Sequence, residues 1–128
     1  MRKKIEVAFY QYRFVRPDWT YPLDEAAREG FMQNLAAELE PLGIDLSWQE
    51  EDQEIEVRGY GDLLNAVRVR SPRDGLGNPC LGHVIGASGK LDLLADIRRG
   101  VNRIAFAPET IEPEGHAKQV CHNCGCGC

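Results

Sequence analysis

The order of periodic segments predicts a small single-domain α/β sandwich in which a β-α-β opening is followed by β-β-α-β. Three observations carry this expectation: a β-branched and aromatic run at residues 5–12, a helical stripe after Asp24, and an alternating apolar run directly behind it. The 128 residues, 43% hydrophobic and 27% charged, are the chain of one compact domain and can bury a core without metal or disulfide staples. A cysteine cluster in such a chain therefore asks for a chemical explanation.

Ile5, Val7 and Phe9 fall on one side of the first run and Ala8, Tyr10 and Tyr12 on the other, so a central strand covered on both faces is expected. Arg13 to Pro22 holds two prolines and no helical period. Asp24 is an N-cap candidate with Glu25 in the first turn. Ala27, Phe31, Leu35, Leu39 and Leu42 keep to one stripe, and Pro41 with Gly43 closes the helix. Ile44, Leu46 and Trp48 then alternate with polar residues as a half-buried strand does, and a helical crossover makes that strand parallel to the first.

Glu50 to Glu54 reads as a solvated turn or edge, with Ile55 and Val57 as a short strand of their own. Asp62 to Asn65 reads as one helical turn, and Val67 and Val69 as a strand with Arg68 and Arg70 on its basic face. Residues 71–79 are dense in turn formers and predict a loop. After the short apolar piece Val84-Ile85, Ser88 is expected to cap a second helix through about Arg99, using Leu91, Leu94 and Ile97, with Gly100 as its stop. Ile104-Ala105-Phe106 is expected as a last strand ending at Pro108. From Glu109 the composition shifts to Glu, Pro, Gly, His and Cys, which divides the chain into a compact body at 1–108 and an irregular cysteine-rich extension at 109–128.

This order of elements resembles a thioredoxin-like arrangement over most of residues 5–107, with a ferredoxin-like sandwich as the alternative. The resemblance is topological. The loop between the first strand and first helix, where the thioredoxin family carries a Cys-x-x-C pair, holds no cysteine in this chain.

Fifteen Lys and Arg against twenty Asp and Glu give a net charge of −5, which disfavours sequence-independent binding to nucleic acid or to an anionic membrane. Glu6 interrupts the apolar run behind the basic start, so no signal peptide is expected, and no apolar stretch approaches the roughly 20 residues of a membrane span. A cytoplasmic location follows, where cysteines serve more often as metal ligands or redox groups than as disulfides.

Four of the five cysteines lie in the last eight residues: Cys121, Cys124, Cys126 and Cys128. This C-x-x-C followed by two C-x-C steps brings four soft donors into one small volume, and Gly125 and Gly127 let the backbone turn without side-chain clashes. Thiolates select Zn²⁺, Cu⁺ and iron–sulfur clusters, and the spacing does not rank them. His122 joins them as a candidate ligand, with Cys80, His83 and His116 as auxiliary ones. Four ligands in eight residues wrap one ion only by contorting, so a site completed by the body, or by a second copy of the chain sharing the metal, stands beside a self-contained one. The primary expectation is a metal- or cluster-binding accessory protein that presents its metal to a protein partner. The alternatives are a thiol redox or sulfur relay on Cys121 and Cys124, and a structural zinc clasp.

Within the body, Cys80 and His83 form a thiol–imidazole pair three residues apart, fit for a nucleophile with its base, for two metal ligands, or for a buried space-filler. Residues 86–90 lack the spacing of a phosphate loop and leave only a glycine-containing helix start. Six of the ten aromatics lie between Phe9 and Tyr21, and Tyr12, Phe14, Trp19 and Tyr21 near Arg13 and Arg16 are candidates for a partner-docking surface, with core packing as the alternative. Arg68, Arg70 and Arg73 are candidates to receive an acidic ligand. No catalytic constellation is expected.

Overall fold

The computed structural model describes residues 3–86 and 91–111. Strands β1 (Lys3–Phe14), β2 (Ile44–Val57) and β3 (Val67–Arg70) form one sheet in the order β2-β1-β3, with β1 parallel to β2 and antiparallel to β3. The expected central strand and parallel β-α-β opening are therefore present. Ile5 sits beside Leu46, Val7 beside Trp48 and Val69, and Phe9 beside Val67, so one face of the sheet is apolar. The other carries Glu6 between Ser47 and Arg70, and Ala8 between Gln49 and Arg68.

Helix α1 (Glu25–Leu39) begins where the sequence places it, because the Asp24 carboxylate accepts the Ala26 N–H at 3.0 Å. A 3-10 turn at Glu40–Leu42 follows, and Gly43 ends it at φ 81°, the left-handed conformation that favours glycine. The buried stripe is rotated from the expected one: Arg28, Met32, Leu35 and Leu39 face inward, whereas Ala27 is exposed and Leu42 is 59% exposed. An arginine, not an apolar residue, begins the inward row.

Of the two readings, turn or edge, the acidic run is the edge. β2 continues unbroken through Glu50 to Val57, and two additional residues, Asp52 and Gln53, are absorbed as an irregularity where Tyr10 pairs with Glu51 and Gln11 with Glu54. As a sheet edge this strand tolerates charge, which is how edges are kept from pairing with other chains.

Helix α2 (Tyr60–Asn65) precedes β3, and the apolar piece at Val84-Ile85 belongs to helix α3 (Leu81–Ile85). Helix α4 (Leu93–Phe106) differs from expectation at both ends. Its N-cap is Asp92, accepting from the Ala95 N–H at 3.2 Å, and Ser88 lies outside the described residues. Gly100 does not stop it. Leu93, Ile97, Val101 and Ile104 form one buried stripe at helical spacing that runs straight through the glycine. A Cβ at position 100 would meet the Leu81 Cδ1 at 2.5 Å, so this glycine lets α3 approach α4.

Ile104-Ala105-Phe106 is thus the last turn of α4, and the sheet has three strands among the described residues. The expected β-β-α-β second half is corrected to a helix-rich one, and the body is a small α/β domain with a three-stranded mixed sheet. Met32, Leu35 and Leu39 of α1 join Ile97, Val101 and Ile104 of α4 in one core with the apolar face of the sheet. Ile111 is also buried in that core, behind a 3-10 turn at Pro108–Thr110, so packed chain extends past Pro108. No helix among the described residues is long and apolar enough to cross a membrane.

Candidate functional site

Cys80 enters the body through backbone pairing. Pro79 accepts from the Val69 N–H at 3.0 Å, Cys80 itself bridges to Arg68, and helix α3 starts at the next residue. The thiol is 0% exposed, and its Sγ accepts the His83 N–H at 3.4 Å as the cap of α3. In this conformation the sulfur serves the backbone, and neither a metal ion nor a disulfide can reach it without α3 moving. His83 is partly exposed, the other four residues of α3 being buried. The pair is adjacent, as its spacing implies, but only the imidazole meets the surface.

The aromatic segment divides in two. Tyr12, Phe14 and Trp19 form an edge-to-face row, with ring centroids 5.4 Å apart for Tyr12 and Phe14 and 5.7 Å for Phe14 and Trp19. All three are half-buried against the core and leave part of each ring at the surface. Burial raises the Tyr12 hydroxyl pKa, a push partly offset by the nearby Arg28 charge. Beside the row, the exposed Arg16 pairs with Asp18 at 2.5 Å and holds its carboxyl below the usual range. Tyr21 does different work. Its ring packs on Tyr60 at 5.7 Å, and its hydroxyl accepts the Leu93 N–H at 2.9 Å. Tyr60 in turn donates to the buried Asp96 at 2.5 Å. This chain of contacts ties the β1–α1 connection to the start of α4.

The basic face of β3 is consumed internally. Arg70 donates to Glu6 at 2.7 Å, Glu51 at 2.6 Å and Asn78 at 2.9 Å, and Arg68 to Asn65 and to the Asn78 carbonyl at 3.1 Å. A shallow groove of about 240 Å³ lies beside this network, lined by Lys4, Glu6, Ser47 and Arg70 among others. With its donors committed, Arg70 is a cross-brace between the three strands rather than a waiting anion receptor.

Sequence reasoning missed Arg28. Its guanidinium lies 4.3 Å from the centre of the Phe9 ring, and one nitrogen pairs with Glu50 at 2.5 Å, while its Nε is buried without a hydrogen-bond partner. The one available signal was its place in the row 28, 32, 35, 39, masked by its charge.

The described chain ends on a second arginine brace. Arg103 donates to the Val84 carbonyl at 2.7 Å, to the Thr110 carbonyl at 2.6 Å and to the Thr110 hydroxyl at 2.9 Å, fixing residues 110–111 beside α3. Cys121, His122, Cys124, Cys126, Cys128 and His116 lie outside the described residues, as do residues 87–90 of the glycine-containing helix start. Among the described residues no three or more His, Cys, Asp and Glu side chains converge as metal ligands do. No family model matches this sequence, and comparison with characterised proteins and with solved structures gives no match.

Proposed function

We propose that this chain is an accessory protein that holds a soft metal ion or an iron–sulfur cluster through Cys121, Cys124, Cys126 and Cys128 and presents it to a partner protein in the cytoplasm. One observation carries the reading: four thiol donors with C-x-x-C-x-C-x-C spacing in eight residues, separated by His, Asn and Gly rather than by core-forming side chains. The thiols must lose their protons to bind, so occupancy falls as pH is lowered. The surface row of Tyr12, Phe14 and Trp19 is the proposed recognition surface of the body, and His122 is a further donor to the metal. The thioredoxin-like label for the fold belongs to this proposal and rests on the parallel β1-α1-β2 unit with β3 antiparallel beside β1.

A second reading is favoured by the Cys121–Cys124 spacing alone, which is also that of dithiol relays. Anaerobic purification of the full chain and of a variant carrying Ser at positions 121, 124, 126 and 128, with metal and acid-labile sulfide measured on both, separates the two. The metal reading expects stoichiometric zinc, copper, or iron with sulfide in the wild-type chain and none in the variant. A metal-free chain that instead cycles between dithiol and disulfide at a defined potential overturns it in favour of the relay.

A further inference from the structure

We propose that the outer edge of β2 at residues 54–57 is a strand-addition site, which takes an extended segment of a partner protein with basic and apolar residues in alternation. This rests on the reading that the chain serves a protein partner, and it is independent of the metal. The direction of the backbone comes first. The Val57 carbonyl accepts the Val15 N–H at 3.1 Å, so Val57 turns its peptide groups toward β1. By the period of two Ile55 does the same, and Glu54 and Glu56 turn their N–H and C=O groups to the outer side. Among the described residues β2 is the last strand on that side, and both glutamates are exposed. At the opposite edge β3 is covered, because the Val69 N–H donates to the Pro79 carbonyl and Arg68 bridges to Cys80.

The side chains beside this edge define its occupant. Register sets Tyr12 beside Ile55 and Phe14 beside Val57 on one face, and Gln11 beside Glu54 and Arg13 beside Glu56 on the other. A strand laid along residues 54–57 therefore meets two carboxylates on one face, and on the other the half-buried Ile55 next to the aromatic row. One exposed guanidinium, that of Arg13, serves both carboxylates at 3.4 Å each and leaves a surplus of negative charge. Antiparallel pairing of two copies of this edge sets Glu54 of each opposite Glu56 of the other, and like charges directly opposite are destabilising. The charge that keeps two such edges apart selects a strand of the other sign. A basic residue opposite each glutamate supplies the missing positive charge, and the apolar residue between them falls beside Ile55.

Backbone amide spectra of the ¹⁵N-labelled full chain test this, titrated with three acetylated and amidated peptides: alternating lysine and valine, alternating glutamate and valine, and the lysine–valine peptide N-methylated at its lysines, which keeps the charge and removes the ladder donors. The expected result is that only the first binds, shifting the Glu54 and Glu56 amides and slowing their hydrogen exchange, with smaller shifts at Tyr12 and Phe14. Combining Glu54→Gln with Glu56→Gln should weaken that binding roughly 2- to 30-fold, the worth of two cross-strand charge pairs. Equal binding of the N-methylated peptide means attraction by charge alone and overturns strand addition, a comparison made on the wild-type chain. Shifts confined to Tyr12, Phe14 and Trp19 overturn the edge and leave the aromatic row as the recognition surface. The edge is also overturned if none of the peptides moves Glu54 or Glu56, or if protein concentration alone moves them, which assigns the edge to a second copy. All of these outcomes leave the metal reading to be decided by metal analysis.

Discussion

Cys80 stands between Pro79 and Leu81 with Val84 and Ile85 in the following turn, and all four are buried. Cys121 to Cys128 stand among His122, Asn123, Gly125 and Gly127, with no bulky apolar residue beyond Val120. The same side chain is thus given two kinds of company. Apolar neighbours on a short helix turn a thiol into a small hydrophobe that caps a backbone N–H. Closely spaced thiols among glycines bring no apolar neighbours of their own, and the proposed function gives their donor capacity to a soft metal. Under the proposed function, the difference assigns stability and chemistry to separate stretches of this chain, and substitutions should separate them in measurement.

The largest effect is expected deep in the body. Ile97→Ala opens a cavity at a residue 0% exposed between α4 and the sheet, and should cost about 2–5 kcal/mol in urea unfolding while leaving metal content per folded molecule unchanged. Cys80→Ala removes both the α3 cap and a buried sulfur, and should cost about 1–2 kcal/mol by the same measurement. If Cys80→Ala instead abolishes metal binding in a fully folded chain, the division between the two cysteine groups fails.

Asp74 gives a smaller, pH-dependent effect. Burial pushes its carboxyl upward, but the hydrogen bond from Lys3 at 2.9 Å and that from the Ser71 hydroxyl at 2.6 Å outweigh this and hold its pKa below the ordinary value. A carboxylate with a lowered folded-state pKa contributes stability above its unfolded pKa of about 4 and loses it as pH falls through the folded value. Asp74→Asn should therefore cost about 1 kcal/mol at neutral pH, and its thermal midpoint should converge on that of wild type as pH drops below about 4. The smallest effect on the fold belongs to Cys124→Ser, which should change metal-free stability by less than about 0.5 kcal/mol yet lower metal occupancy. A large loss of metal-free stability there would mean that the segment is part of the core.

Much of the body was legible because local signals agreed with the packing. Asp24, Gly43 and the alternation at Ile44, Leu46 and Trp48 each act within a few residues, and each element they mark is present. The misread elements turn on tertiary neighbours. Gly100 looks like a helix stop until Leu81 is known to press against it, and the stripe from Leu93 to Ile104 then extends through it. Glu50 to Glu54 reads as a turn or an edge, and only its place at the sheet edge, with solvent on one side and Arg28 and Arg70 on the other, decides for the edge. Arg28 looks like a surface residue until Phe9 and Glu50 are placed around its guanidinium. For the candidate site, residue type and spacing carry only the proposal for the four clustered thiols, which lie outside the described residues, whereas the buried state of Cys80 depends on its bridge to Arg68 of β3 and on the α3 turn it caps.

The central claim, one closed thiol in the body and four metal-binding thiols after it, is tested most directly by native thiol alkylation of the full chain, with and without bound metal, read out by peptide mass spectrometry. The account predicts that Cys121, Cys124, Cys126 and Cys128 react when metal-free and are protected when loaded, while Cys80 stays unmodified in both until the protein is unfolded. Alkylation of Cys80 at the rate of the other four, or reactivity at 121–128 that metal leaves unchanged, would contradict it.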